Sequence, residues 1–237
     1  MDILQSEKSL VVSPHLDDGV FSCGELIAHL PGTIVATVLA GIPAASPRVT
    51  GWDAAAGFDS AARAVASRRG EDRAALALLR ARPRWLDFFD GQYARSPTWD
   101  ALVDGLDALL GAEQPHTVLF PAGLCHPDHV FVHRALLAVR GRRPQGNWLM
   151  YEDALYRCLP GLMQRRLLAL ARQGLVATPV PAAPAGKLEI KRAAVACYPS
   201  QLRALVSHAR GYADAFAPER YWRIESAAAS AGANGTP

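Results

Sequence analysis

The chain has 237 residues and is 50% hydrophobic, enough to bury one sizeable core or at most two small ones. Its 25 Lys and Arg against 22 Asp and Glu leave a net charge of +3, with no basic stripe or aromatic platform, so nucleic acid is not an expected partner. Cys23, Cys125, Cys158 and Cys197 stand far apart without a C-x-x-C pair, which argues against a cysteine zinc cage and for reduced thiols in a cytoplasmic protein. The first residues have no signal-peptide pattern, and no apolar run reaches the length of a membrane span.

In chain order, the valine-rich run 9–13 predicts a central strand, and 19–30 a helix with Phe21, Leu26, Ile27 and Leu30 on its apolar side. Pro31-Gly32 ends that helix, and 33–39 is a second buried strand, completing a βαβ unit. Residues 40–57 read as a long loop, a length that marks a lid or a disordered segment. A helix is expected over 58–79, a strand over 85–88, a helix over 99–110, a strand over 117–120 and a helix over 128–139. A strand over 148–151 and a helix over 161–172 follow, then a Pro/Ala-rich loop or edge strand over 177–186. Two further helices span 187–197 and 200–208, and 226–237 is a low-complexity tail. The expectation is one α/β domain over 1–225: a three-layer, Rossmann-like fold with a mainly parallel sheet and helices on both faces.

In such a sheet, ligands gather beyond the carboxyl ends of the strands. After the first strand comes Pro14-His15-Leu16-Asp17-Asp18, and after the strand at 117–120 comes a segment with His126, Asp128, His129 and His133. A dinucleotide turn needs glycines and a free helix N-terminus, whereas here two carboxylates would repel a pyrophosphate. A metal site explains the residue types better, because imidazole and carboxylate are zinc ligands and a catalytic site uses three of them. His15 and Asp18 can reach one ion from a single turn, and His129 or His126 supplies the third ligand. Asp17, pointing another way, is left to approach the attacking water. The bland alternative is an N-cap with ordinary polar turn residues. His133 reads as a packing or surface histidine rather than a spare ligand, and His29, His116 and His208 read as structural. Two histidines and a carboxylate suit Zn²⁺, with Fe²⁺ also compatible.

These motifs resemble the PIG-L/LmbE-like zinc-dependent N-deacetylase family, whose signatures are (P/A)-H-x-D-D and H-P-D-H; here they stand as residues 14–18 and 126–129. Weaker echoes are Arg68-Arg69-Gly70-Glu71, Phe89-Asp90-Gly91, Tyr151-Glu152-Asp153 and Tyr198-Pro199-Ser200-Gln201, so the resemblance spans roughly 8–205. It implies an LmbE-like fold with His15, Asp18 and His129 as metal ligands and Asp17 as general base. It also implies that His126 steadies the oxyanion in protonated form or passes a proton to the leaving amine. Asp128 would orient His126 or His129, or simply start its helix. Leu16 departs from the family's usual proline, and 40–57 and 154–186 match nothing in it. The implied reaction is attack of a metal-activated water on the N-acyl group, most simply N-acetyl, of a GlcNAc-type sugar or glycosylated small molecule. Arg68 and Asp90 are candidate substrate contacts, and Trp52 is either a sugar-stacking or a packing residue. One rival is a metal-dependent hydratase acting on a carboxylated diene, which would call on Arg48 and Arg68 as cations. The other is a non-catalytic binding protein.

Overall fold

Residues 8–44, 49–181, 184–208 and 211–227 are described by a computed structural model. Seven strands among them, β1 (Ser9–Ser13), β2 (Ile34–Thr37), β3 (Arg82–Trp85), β4 (Thr117–Pro121), β5 (Asn147–Tyr151), β6 (Leu175–Val180) and β7 (Tyr221–Ser226), form a sheet ordered β3-β2-β1-β4-β5-β7-β6. The first five are parallel to one another, while β7 runs antiparallel to both β5 and β6. Eight α-helices surround it: α1 (Asp18–His29), α2 (Gly51–Ala56), α3 (Ala61–Leu78), α4 (Trp99–Glu113), α5 (Pro127–Arg142), α6 (Leu162–Ala171), α7 (Leu188–Ala196) and α8 (Pro199–Ser207).

Alternation along β1 builds the three layers. Leu10 and Val12 face one way, into a core with Leu102 and Leu106 of α4 and Leu136 and Val139 of α5. Val11 faces the other way, with Phe21 and Leu26 of α1, Leu76 of α3 and Val195 of α7. Both faces are covered, so β1 is buried throughout and its central residues Leu10-Val11-Val12 are continuously apolar instead of alternating with polar residues.

Three elements differ from expectation. β3 lies three residues earlier than predicted, because Arg82-Pro83-Arg84 forms a largely exposed edge strand whose sequence carries no apolar signal. The 40–57 segment holds a short helix, α2, capped by the Thr50 side chain on Asp53 N–H; 45–48, with Arg48, lie outside the described residues. The 177–186 tract begins in β6, the edge-strand alternative of the two expected there, whereas β7 has no counterpart among the predicted elements. β7 ends at Ser226, where the tail was expected to start, and 228–237 lie outside the described residues. No described helix is long and apolar enough to cross a membrane.

β1 has β2 on one side and β4 on the other, so the order of connection reverses between β1 and β4. That switch point opens a crevice at the carboxyl ends of the strands. The two charged segments of the sequence leave from its two sides.

Candidate metal centre

The chain leaves β1 and enters α1 within four residues, with Asp17 as the helix N-cap position. Gly19 permits this tight entry. Its N–H donates to Ser13 Oγ at 2.8 Å, and a Cβ there would stand 3.2 Å from Ser13 and Val35 side-chain atoms. On the other side of the crevice His126 is the N-cap of α5, so His129 falls on the first turn facing the sheet edge.

Asp18 Oδ2 lies 3.1 Å from His15 Nδ1 and 3.1 Å from His129 Nε2. The outer nitrogens of both rings are held by carboxylates: Asp128 Oδ2 at 3.1 Å from His15 Nε2, and Asp153 Oδ1 at 2.6 Å from His129 Nδ1. An imidazole that faces a cation normally has its far N–H donated in this way. His126 completes the cluster, its ring centroid 5.1 Å from that of His15 and 5.2 Å from that of His129. Ring nitrogens of His15, His126 and His129 lie within 4.8 Å of one another, as do ligand atoms of His15, Asp90 and Asp128. The donor set, imidazole nitrogen and carboxylate oxygen with oriented outer partners, therefore fits a divalent cation.

The electrostatics agree. Burial disfavours charge on His15, yet Asp90, Asp128 and Asp18 together hold its pKa well above the ordinary value. His129 is likewise opposed by burial but raised to about 9 by Asp18 and Asp153. Burial would raise Asp18, and the adjacent His129 and His15 instead hold it well below the carboxylate range. The cluster thus gathers protons against its own carboxylates, and a cation binding there displaces them. Burial, reinforced by Asp18, pushes Asp17 up to about 7.

One expectation needs correction. Asp128 lies in the first turn of α5, behind the His126 N-cap, and its carboxylate reaches His15 and not His126 or His129. It also accepts from Gly91 N–H at 3.2 Å, where a Cβ would meet Asp128 Oδ1 at 2.7 Å. Burial, with His15 and His129 nearby, lowers His126 to about 4, which favours the neutral ring over the protonated form expected from sequence. Its Nδ1 accepts from Asp128 N–H at 3.3 Å, which leaves the proton on Nε2.

A cavity of about 270 Å³ opens beside the cluster, lined by Asp17, Arg68, Asp90, Gln92 and His126 among others. Arg68 is held by Asp53 of α2 at 2.8 Å, and Asp90 is held by Gln92, whose side-chain amide donates at 2.6 Å. Asp153, which orients His129 and also accepts from Leu124 N–H at 2.9 Å, was noted from sequence only within the weak Tyr151-Glu152-Asp153 echo and given no role, though it follows β5 as His15 follows β1. His208 also lines the cavity and is not remote from it as expected. His133 is a packing residue, buried and bonded to Pro121 O at 2.8 Å.

The family model described as PIG-L: GlcNAc-PI de-N-acetylase matches residues 10–140. Among solved structures, a triple mutant of a deacetylase in the teicoplanin biosynthetic pathway is 26% identical with a TM-score of 0.72, over 92% of this chain and 98% of that one. The zinc-inhibited form of that deacetylase, Orf2, matches at 24% and 0.71 over the same shares. The N,N'-diacetylchitobiose deacetylase of Pyrococcus horikoshii shares the fold at 19% identity and a TM-score of 0.59, over 94% of this chain and 85% of that one. So does the 4-carboxy-2-hydroxymuconate hydratase of Pseudomonas putida KT2440, at 18% and 0.51, over 92% and 95%. No curated protein matches. With its strand-end motifs inside a family match that covers more than half of its length, the chain belongs to the PIG-L (GlcNAc-PI de-N-acetylase) family.

Proposed function

We propose that this protein is a zinc-dependent N-deacetylase that releases acetate from a GlcNAc-type sugar or glycosylated small molecule. The observation that carries the reading is the convergence of His15 and His129 on one Asp18 oxygen, with Asp17 beside them on a cavity wall. Family membership and the deacetylases among its structural relatives support it.

His15, Asp18 and His129 would hold the ion, oriented by Asp128 and Asp153. A divalent cation bound there supplies an acidified water and polarises the amide carbonyl. Asp17 takes a proton from the attacking water as the new C–O bond forms. A carboxyl titrating near 7 suits both halves of its task, since it then returns that proton to the amine nitrogen as the C–N bond breaks. The products are acetate and the free amine. His126, neutral with its proton on Nε2, donates a hydrogen bond to the developing oxyanion and stores no proton. Arg68 and Asp90 contact the sugar hydroxyls.

A hydratase acting on a carboxylated diene would need a cationic wall. Arg68, the one Lys or Arg among the described lining residues, is already paired with Asp53, and Asp17, Asp18 and Asp90 would repel carboxylates. A binding-only role leaves the complete set of acid, base and ligand groups without a purpose. Assay of acetate release from a panel of N-acetyl sugars, with and without chelator, is the test. Chelator-sensitive release is expected; release indifferent to chelator, or none beside an absorbance change with dienoates, contradicts the proposal.

A further inference from the structure

The cavity has two unlike halves. One is the charged strand-end wall already described. The other is built from α2, α8 and the segment after β5, and presents Trp52, Leu155, Gln201, Leu205 and His208. Most of its polar atoms are engaged within the protein, Nε2 of the exposed His208 apart. Trp52 Nε1 donates to Gln201 Oε1 at 3.1 Å, Gln201 Nε2 donates to Ser200 Oγ at 3.1 Å, and Ser200 Oγ donates to Glu71 Oε2 at 2.6 Å. His208 Nδ1 bonds to Ala204 O at 2.9 Å, and its ring lies against the Trp52 indole with centroids 5.1 Å apart, tilted by 31°. Such a wall has little to offer sugar hydroxyls, and shows a cavity occupant rings and aliphatic carbon.

The wall is also rigidly placed. Glu71 of α3 takes both Ser200 N–H, at 3.1 Å, and Ser200 Oγ at the start of α8, and Asp72 accepts from Tyr198 Oη at 2.8 Å. Gln201, the next residue, fixes the indole in turn. Aromatic side chains held this way favour flat apolar partners by stacking.

We propose that the Trp52–Leu205–His208 wall is an aryl subsite, which takes a flat apolar substituent carried by the N-acylated amino sugar and makes such substrates preferred over the bare sugar. The choice of sugar rests on the deacetylase reading; the subsite itself does not. The substituent can sit on the anomeric oxygen or on the acyl group. Calorimetric titration of the purified protein with methyl N-acetyl-β-glucosaminide, its 4-nitrophenyl counterpart and methyl N-phenylacetyl-β-glucosaminide tests the proposal. One aryl-bearing ligand is expected to bind about five- to tenfold more tightly than the methyl glycoside. Tighter binding of the nitrophenyl glycoside assigns the wall to the aglycone, and of the phenylacetyl amide to the acyl group. Trp52→Ala should erase the preference and Trp52→Phe should keep it, with Leu205→Ala as the second variant should Trp52→Ala not fold. Equal affinity for all three ligands, or a preference untouched by these alanine variants, overturns the subsite. Acetate release followed alongside keeps the two readings apart: aryl preference in binding without any release leaves the subsite standing and removes the deacetylase.

Discussion

Two of the buried clusters of charged side chains among the described residues are built on opposite principles. Glu219 accepts from Lys191 Nζ at 2.7 Å, Glu25 N–H at 2.8 Å, Leu26 N–H at 3.0 Å and Tyr221 Oη at 2.6 Å. One anion meets one cation, the carboxylate oxygens are fully engaged, and the cluster fastens α7 to α1 beside β7. The strand-end cluster instead gathers Asp17, Asp18, Asp90, Asp128 and Asp153 around three imidazoles. It carries more negative charge than it neutralises, and it opens on a cavity. A buried cluster that balances itself holds the fold together, while one left in deficit is poised for a cation and a substrate.

The contrast can be broken at either cluster. The largest effect is expected at Asp17→Asn, which should keep bound metal by elemental analysis and lose about 10²- to 10⁴-fold in acetate release; undiminished turnover would remove Asp17 from the base role. At the balanced cluster, Lys191→Met strands Glu219 without its cation. Urea denaturation should show a loss of about 3–5 kcal/mol, with activity per folded molecule intact. Asp153→Asn sits between the two kinds of effect: it should weaken metal affinity about 10- to 100-fold in chelator competition, and an unchanged Kd would show that His129 needs no orienting partner.

The smallest effect concerns acid stability. His133 stacks on Phe120, its Nε2 has no hydrogen-bond partner, and burial, with Arg166 nearby, lowers its pKa to about 3. Its folded value lies below the unfolded one, so the neutral ring contributes stability that is whole above about pH 6.5 and declines as pH falls toward 3. From pH 7 to pH 5 that amounts to roughly 2 kcal/mol, and His133→Gln should lose that much less over the interval in paired urea titrations. Parallel pH dependence of the two proteins would refute the assignment.

What could be read beforehand follows from how local each signal is. β1 announced itself because burial on both faces demands an apolar run, and the two His/Asp segments were legible because strand ends collect chemistry. β3 was misplaced because an edge strand needs no apolar residues, and Arg82-Pro83-Arg84 reads as a turn. The orienting carboxylates were harder. Asp128 lies two residues from His126 and one from His129, yet it serves His15, 113 positions away in the chain. Adjacency in sequence suggested the wrong ring. The weak echoes at 68–71 and 198–201 are a single physical feature, since Glu71 caps α8 through Ser200. Neither segment carries that meaning alone. His208 passed as structural because nothing local shows that α8 returns to the cavity mouth.

The central claim, that the strand-end carboxylates and imidazoles are arranged for one divalent cation, is tested most directly by titrating chelator-treated protein with Zn²⁺ in a calorimeter. One equivalent per chain is predicted, with proton release on binding and loss of the site in Asp18→Ala. No saturable binding, or stoichiometry unchanged in Asp18→Ala, would contradict it.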